Sequence, residues 1–87
     1  MVFKHHSLDA FYRKPAGAVP AGGQVRLRLC VKDAQESPDI QLRMWNGGEH
    51  RHPMRLLGMH DGEAIYEAQV GVCEEPGLLW YRFEAEL

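Results

Sequence analysis

The segment QVRLRLCVK, residues 24–32, alternates apolar with mainly polar side chains, and this pattern constrains the fold more than any other feature. Successive side chains of a β-strand point to opposite faces, so four apolar residues in one phase would share one buried face. These residues are Val25, Leu27, Leu29 and Val31. An α-helix, with about 3.6 residues per turn, would spread them around its circumference. The segment therefore predicts a strand with one face in the core and one in solvent.

The same alternation recurs along the rest of the chain. Apolar residues take every second position in residues 40–44, 64–70 and 79–87. A chain of 87 residues is long enough for one domain of two layers. We therefore expect residues 1–87 to form a single all-β domain, an immunoglobulin-like antiparallel β-sandwich of six or seven short strands.

Turn signals separate the predicted strands. Asn46-Gly47 and Asp61-Gly62 favour tight hairpins, because these residue types readily adopt positive backbone φ angles. The sequence EEPG at residues 74–77 favours a turn that has Pro76 at its second position and Gly77 at its third, as type II turns prefer. The chain should reverse direction at all three places.

The remaining segments have weaker patterns. Residues 2–12 predict a short edge strand followed by an extended segment that holds Phe11 and Tyr12. Residues 14–23 contain two prolines and three glycines, which favours an extended connector. Residues 51–59 are expected to form one returning strand, with Pro53 placing it at an edge.

Charge and hydropathy exclude some partners. Ten Lys and Arg against twelve Asp and Glu give a formal charge of −2 with the signs interspersed, so we expect no nucleic-acid partner. No apolar run approaches the roughly 20 residues of a membrane span, and we expect no membrane partner and a cytoplasmic chain. The two cysteines, Cys30 and Cys73, leave open whether a disulfide joins them.

The sequence lacks the residue patterns of a metal, cofactor or catalytic site. His50 and His52 would share a strand face, but two imidazoles bind zinc weakly and a third ligand at suitable spacing is missing. Carboxylates fall mainly in exposed phases or turns, whereas acid/base catalysis needs one in a protected site. We therefore expect no metal, no cofactor and no catalytic residue, and this chain alone should not be an enzyme.

Both tryptophans fall in the phase opposite the core residues of their predicted strands. An exposed Trp45 or Trp80 could stack on the apolar face of a sugar ring or anchor a protein interface. The alternative is that a break in phase or the connector of residues 14–23 covers them. The pattern alone leaves all three interpretations open.

Three segments carry a resemblance to a known family. The first is HHSLDAFYRKPAGAVPAGGQVRLRL, residues 5–29, whose most specific part is Phe11-Tyr12-Arg13 followed by Pro15 and GAVPAG. The others are IQLRMWNGGEHRHPM, residues 40–54, and the ending EPGLLWYRFEAEL. Together they resemble the immunoglobulin-like amino-terminal domain of alpha-amylase superfamily glycoside hydrolases, the group of pullulanases, neopullulanases, cyclomaltodextrinases and amylopullulanases.

The resemblance implies a β-sandwich that precedes a catalytic (β/α)₈ barrel acting on α-glucosidic bonds, with the barrel absent from this chain. The implied function is that of a non-catalytic amino-terminal domain that packs on the barrel, mediates dimerisation or shapes the substrate cleft. The alternative is an autonomous module that binds starch or maltooligosaccharide through its tryptophans. A structural sandwich from an unrelated multidomain protein is a third option. The candidate interface or carbohydrate-binding residues are Trp45, Trp80, Phe11, Tyr12 and Arg13.

Overall fold

The computed structural model describes residues 1–15, 19–33, 38–73 and 79–86. These residues form strands and turns, with no helix among them. The strands are β1 (Val2–Lys4), β2 (Arg13–Lys14), β3 (Gln24–Lys32), β4 (Asp39–Trp45), β5 (Glu49–Pro53), β6 (Arg55–His60), β7 (Glu63–Gly71) and β8 (Trp80–Glu86). Nothing in the described ranges forms a helix that could cross a membrane.

The strands form two antiparallel sheets that face each other as a sandwich. Sheet A has the order β1-β3-β7-β6, and β2 also pairs with β3. Sheet B has the order β5-β4-β8. The all-β antiparallel sandwich expected from the sequence is confirmed. The described part has eight strands rather than six or seven, because two short strands line the edge of β3 and one predicted strand is divided.

The core lies between the sheets and comes from the alternating segments. Val25, Leu27, Leu29 and Val31 on β3 are fully buried, as their phase predicted. The other buried members of the core are Ile40, Leu42, Met44, Met54, Ala64, Tyr66, Ala68 and Val70. Partly buried side chains of β8, including Tyr81 and Phe83, pack against this cluster. Burial of these side chains is the main stabilising contribution to the fold.

The strand predicted for residues 51–59 is wrong in one respect, because the chain changes sheets in its middle. β5 pairs with β4 in sheet B, and β6 pairs with β7 in sheet A. Met54 lies at the crossing, where its side chain is buried and its N–H donates to the carbonyl of Ile40 at 2.8 Å. The preceding Pro53 has no N–H to continue the ladder, so the strand ends there.

Both predicted hairpins are present. A three-residue loop joins β4 to β5, with φ of 68° at Gly47 and 130° at Gly48. The two-residue turn between β6 and β7 has positive φ at Asp61 (51°) and Gly62 (78°), the backbone combination that matches the twist of a hairpin. The turn predicted at residues 74–77 lies outside the described residues.

Residues 7–12 form turns, so the predicted extended segment is wrong. The carbonyl of Asp9 accepts hydrogen bonds from the N–H groups of Tyr12 (3.0 Å) and Arg13 (2.9 Å). The Asp9 carboxylate accepts a third, from the Phe11 N–H at 2.9 Å. An aspartate that bonds nearby backbone N–H groups competes with extended structure, which explains the turn.

The two cysteines form no disulfide. Cys30 is opposite Ile65 in the β3–β7 ladder, and Cys73 lies eight residues farther along the chain, after β7 has ended. At about 3.3 Å per strand residue the two positions are roughly 20 Å or more apart, beyond the reach of a disulfide. Cys30 is also buried, although its phase on β3 predicted exposure, and its thiol contacts the Tyr12 hydroxyl.

His5 connects the two sheets. Its Nδ1 lies 2.7 Å from the carbonyl oxygen of Arg28 on β3, and its Nε2 lies 2.9 Å from the Tyr81 hydroxyl on β8. A carbonyl oxygen only accepts, so Nδ1 carries the proton and Nε2 accepts from Tyr81. The ring also packs edge-on against Tyr12 and Phe83. Burial lowers the pKa of His5 below its ordinary value of 6.5, outweighing the hydrogen bond to Arg28, which acts in the opposite direction.

This geometry predicts that the domain loses stability in mild acid. The unfolded chain binds a proton at position 5 more readily than the folded chain, because the folded-state pKa is lowered. The stabilisation from neutral His5 is complete above pH 6.5 and declines as the pH falls below it towards the folded-state pKa. Urea unfolding at about pH 7.5 and about pH 5 should show this decrease. His5→Gln should reduce the pH dependence in this window, and an unchanged dependence would contradict the assignment.

Candidate functional site

The two tryptophans are neighbours on the outer face of sheet B. Trp45, the last residue of β4, is directly opposite Trp80, the first residue of β8. Their phase is opposite to that of buried Met44 and partly buried Tyr81, so both indoles project away from the core. The sequence predicted this orientation, but the pairing of the two residues follows only from the strand register.

The two indoles differ in exposure. Trp80 is 64% exposed, which confirms the prediction for that residue. Trp45 is largely shielded from solvent, so its prediction as a fully solvent-facing ring needs correction. The guanidinium carbons of Arg43 and Arg82 lie 4.8 and 5.6 Å from its ring centroid, at the distances of cation–π contacts. Arginines on the same face therefore cover part of Trp45.

Two glutamates hold these arginines in place. Arg43 donates to Glu49 and also lies 3.2 Å from a carboxylate oxygen of Glu84. Arg82 lies 3.4 Å from the other oxygen of Glu84. The hydrogen bond from Arg43 is the main cause of a lowered pKa at Glu49, which keeps that exposed carboxylate ionised. We call the set Trp45, Trp80, Arg43, Arg82, Glu49 and Glu84 the aromatic face.

The aromatic face is pre-ordered and open to solvent. Trp80 offers an exposed, flat apolar ring with few rotatable bonds, and the charged groups beside it are already oriented by their ion pairs. Such a surface can pack against a protein, or it can stack on a sugar ring while arginine and glutamate bond the hydroxyl groups. Its carboxylates lie in ion pairs at the surface rather than in a protected pocket.

Phe11, Tyr12 and Arg13 lie beside β3 of sheet A, whereas both tryptophans lie on the outer face of sheet B. The Arg13 guanidinium carbon also lies 5.7 Å from the ring centroid of Tyr81 on β8, whose phase is opposite to that of Trp80. Phe11 is partly exposed, and its ring contacts the guanidinium of Arg28 at 5.1 Å. Tyr12 is buried, with 7% of its surface accessible, so its side chain cannot offer the expected binding surface. Burial and then its hydrogen bond with Cys30 raise the pKa of Tyr12 to about 12, so the phenol stays protonated. The five predicted site residues therefore form two groups.

Sequence reasoning missed the four charged members of the aromatic face. Arg43 shares a phase with Trp45 on β4, and Arg82 and Glu84 share one with Trp80 on β8. The alternation along β4 and β8 was therefore sufficient to predict that these three charged residues share a face with the tryptophans. The contribution of Glu49 required knowledge of the hairpin register, in which Glu49 is opposite Trp45.

The histidines of β5 lie at an open end of the sandwich. The rings of His50 and His52 stack with their centroids 6.4 Å apart and line a groove of about 300 Å³ with Met44 and Val72. Across the described ranges, no three His, Cys, Asp or Glu side chains come together in a way that could hold a metal ion.

Comparison of the chain with protein-family models, with curated proteins and with solved structures gave no match.

Proposed function

We infer that the chain is a non-catalytic accessory module of an α-glucan-hydrolysing enzyme, and that its aromatic face packs on the catalytic barrel or on a second subunit. The observation that carries this proposal is the exposed Trp80 beside Trp45 on one sheet face. The resemblance of residues 5–29, 40–54 and 75–87 to amino-terminal domains of such enzymes supports the enzyme class.

The composition of the aromatic face favours a protein interface. Tryptophan and arginine are the side chains most enriched among residues that dominate binding energy, and truncating such a residue often costs about 2 kcal/mol or more. Arg43 and Arg82 are already held by Glu49 and Glu84, so little side-chain entropy would be lost on docking.

We predict that Trp80→Ala weakens docking without destabilising the module. Binding of the isolated chain to the parent enzyme lacking residues 1–87, measured by calorimetry, should weaken by about 30-fold, which corresponds to about 2 kcal/mol. The stability of the isolated variant should change by less than about 0.5 kcal/mol, because the side chain is mainly in solvent.

Met59→Ala provides the matched control, because Met59 is apolar, 58% exposed and located in the other sheet. An equal loss of affinity in this control would show that the aromatic face is not the interface. A parent enzyme whose stability, dimerisation and kinetics were unchanged after removal of residues 1–87 would contradict the proposal as a whole.

A second function, α-glucan binding by the isolated module, is favoured by one specific feature. The exposed ring of Trp80 lies on the same sheet face as Arg82 and Glu84, which combines a stacking surface with groups that bond sugar hydroxyls. Titration with maltoheptaose or β-cyclodextrin, followed by tryptophan fluorescence, tests this function. Saturable binding near 1 mM that disappears in Trp80→Ala would support it, since a shallow site binds weakly. An unchanged signal at millimolar ligand would contradict it.

A further inference from the structure

The outer face of sheet A gathers most of the basic residues of the chain. Strand register places Lys14 opposite Arg26, and it places Glu67 opposite both Arg28 and Arg55. Lys4 lies opposite Cys30 of β3. Cys30 and Lys32 are on the same side of β3 as Arg26 and Arg28, because they occupy alternate positions. We call this surface the basic face. Its charged members are Lys4, Lys14, Arg26, Arg28, Lys32, Arg55, Glu63 and Glu67.

The net charge of the basic face is opposite in sign to the net charge of the whole chain. Its six basic and two acidic side chains give a formal charge of +4. The whole chain carries −2, so the rest of the chain carries −6. Strand register therefore gathers on one face basic residues that are spread along the sequence.

The two glutamates are less exposed than the cations at the margin of the face, Arg55, Lys4 and Lys32. Glu67 contacts three guanidinium groups, with Arg28 at 3.1 Å, Arg55 at 3.6 Å and Arg26 at 3.8 Å. The Glu67 side chain is 19% exposed, and the Arg26 and Arg28 side chains are nearly as shielded. The Arg55 side chain, in contrast, is 77% exposed. Glu63 is similarly shared by the ammonium groups of Lys4 and Lys32, which are each more exposed than the carboxylate. A partner approaching this face would therefore meet positive charge first.

We propose that the basic face docks an acidic segment of a protein partner, independently of the aromatic face on the other sheet. The turn of residues 7–12 covers the middle of β3 on this face, where Tyr12 contacts Cys30 and Phe11 contacts Arg28. An acidic segment would therefore pair with the more exposed cations around the turn, Lys4, Lys32 and Arg55. Charge complementarity of this kind speeds association and selects the partner. A long polyanion such as a nucleic acid would extend past the face and be repelled by the −6 carried elsewhere.

A labelled acidic peptide tests the proposal. A fluorescein-labelled peptide of about twelve residues that alternates glutamate and serine should bind the 87-residue chain saturably in about 20 mM salt, by fluorescence anisotropy. Affinity should fall strongly in about 300 mM salt, because exposed charges are screened. Arg55→Glu should weaken binding by at least about fivefold. Glu63→Gln, which adds net positive charge to the face, should strengthen it.

Arg51→Glu is the matched control, because Arg51 is also exposed but lies in sheet B. It makes the same change in total charge, so an equal loss of affinity would show a nonspecific charge effect and overturn the proposal. Absence of saturable peptide binding in low salt would also overturn it. Tighter binding of a single-stranded DNA of equal charge would overturn it in favour of a nucleic-acid partner.

Discussion

Replacing Leu42 with alanine is expected to destabilise the domain by about 2–5 kcal/mol. Leu42 is completely buried at the centre of β4, the middle strand of sheet B, where it is opposite His52 on one side and Phe83 on the other. Truncation removes its buried methyl groups and leaves a cavity that the flanking strands cannot readily fill. A domain of this size has a total stability near the lower end of about 5–15 kcal/mol, so a large part would be lost.

Urea unfolding monitored by circular dichroism would measure this effect. Leu57→Ala is the control, because Leu57 is 43% exposed on β6 and should change stability much less. A loss below about 1 kcal/mol for Leu42→Ala would mean that sheet B contributes little to the core. Equal losses in the two variants would contradict the burial pattern described for the sandwich.

Glu67→Gln is expected to produce the second-largest effect, a loss of about 1–3 kcal/mol. The substitution preserves shape but removes the negative charge that Arg26, Arg28 and Arg55 share. Three guanidinium groups would then repel one another on a partly shielded surface. Because added salt screens that repulsion, the difference from the unsubstituted chain should become smaller at about 1 M salt.

Thermal unfolding at low and high salt would test this prediction. Glu49→Gln is the comparison, because Glu49 contacts Arg43 and Arg51 but lies on the open surface of sheet B. We expect a clearly smaller destabilisation there, since exposed ion pairs contribute little. A Glu67→Gln variant as stable as the unsubstituted chain would show that the three arginines do not depend on this carboxylate.

The local alternation of apolar and polar residues was sufficient to predict the core strands. Val25, Leu27, Leu29 and Val31 lie in the core because the side-chain period of a strand is two, which no other regular structure satisfies for this sequence. The hairpin at Asp61-Gly62 was predictable for a similar local reason, since both residues tolerate the positive φ angles observed.

Tertiary contacts decided the segments with weak or conflicting local signals. The change of sheets at Met54 depends on the strands with which β5 and β6 pair, and the local pattern of residues 51–59 does not specify that pairing. Cys30 lies in a solvent-facing phase yet is buried, because a turn distant in sequence brings Tyr12 against it. His5 likewise acquires its role from Arg28 and Tyr81, which lie 23 and 76 residues away.

The candidate binding surfaces likewise combine features that the sequence predicted with features that depend on tertiary structure. From the sequence alone, Trp45 and Trp80 could be assigned to the outside of their strands, because each follows the polar phase. Only the folded structure shows that Trp45 and Trp80 are cross-strand neighbours and that arginine packs on the Trp45 ring. The reason is that cross-strand register depends on how the two sheets pack around the core. For the same reason, strand register gathered six of the ten Lys and Arg residues on the outer face of sheet A, although charges of both signs are interspersed along the chain.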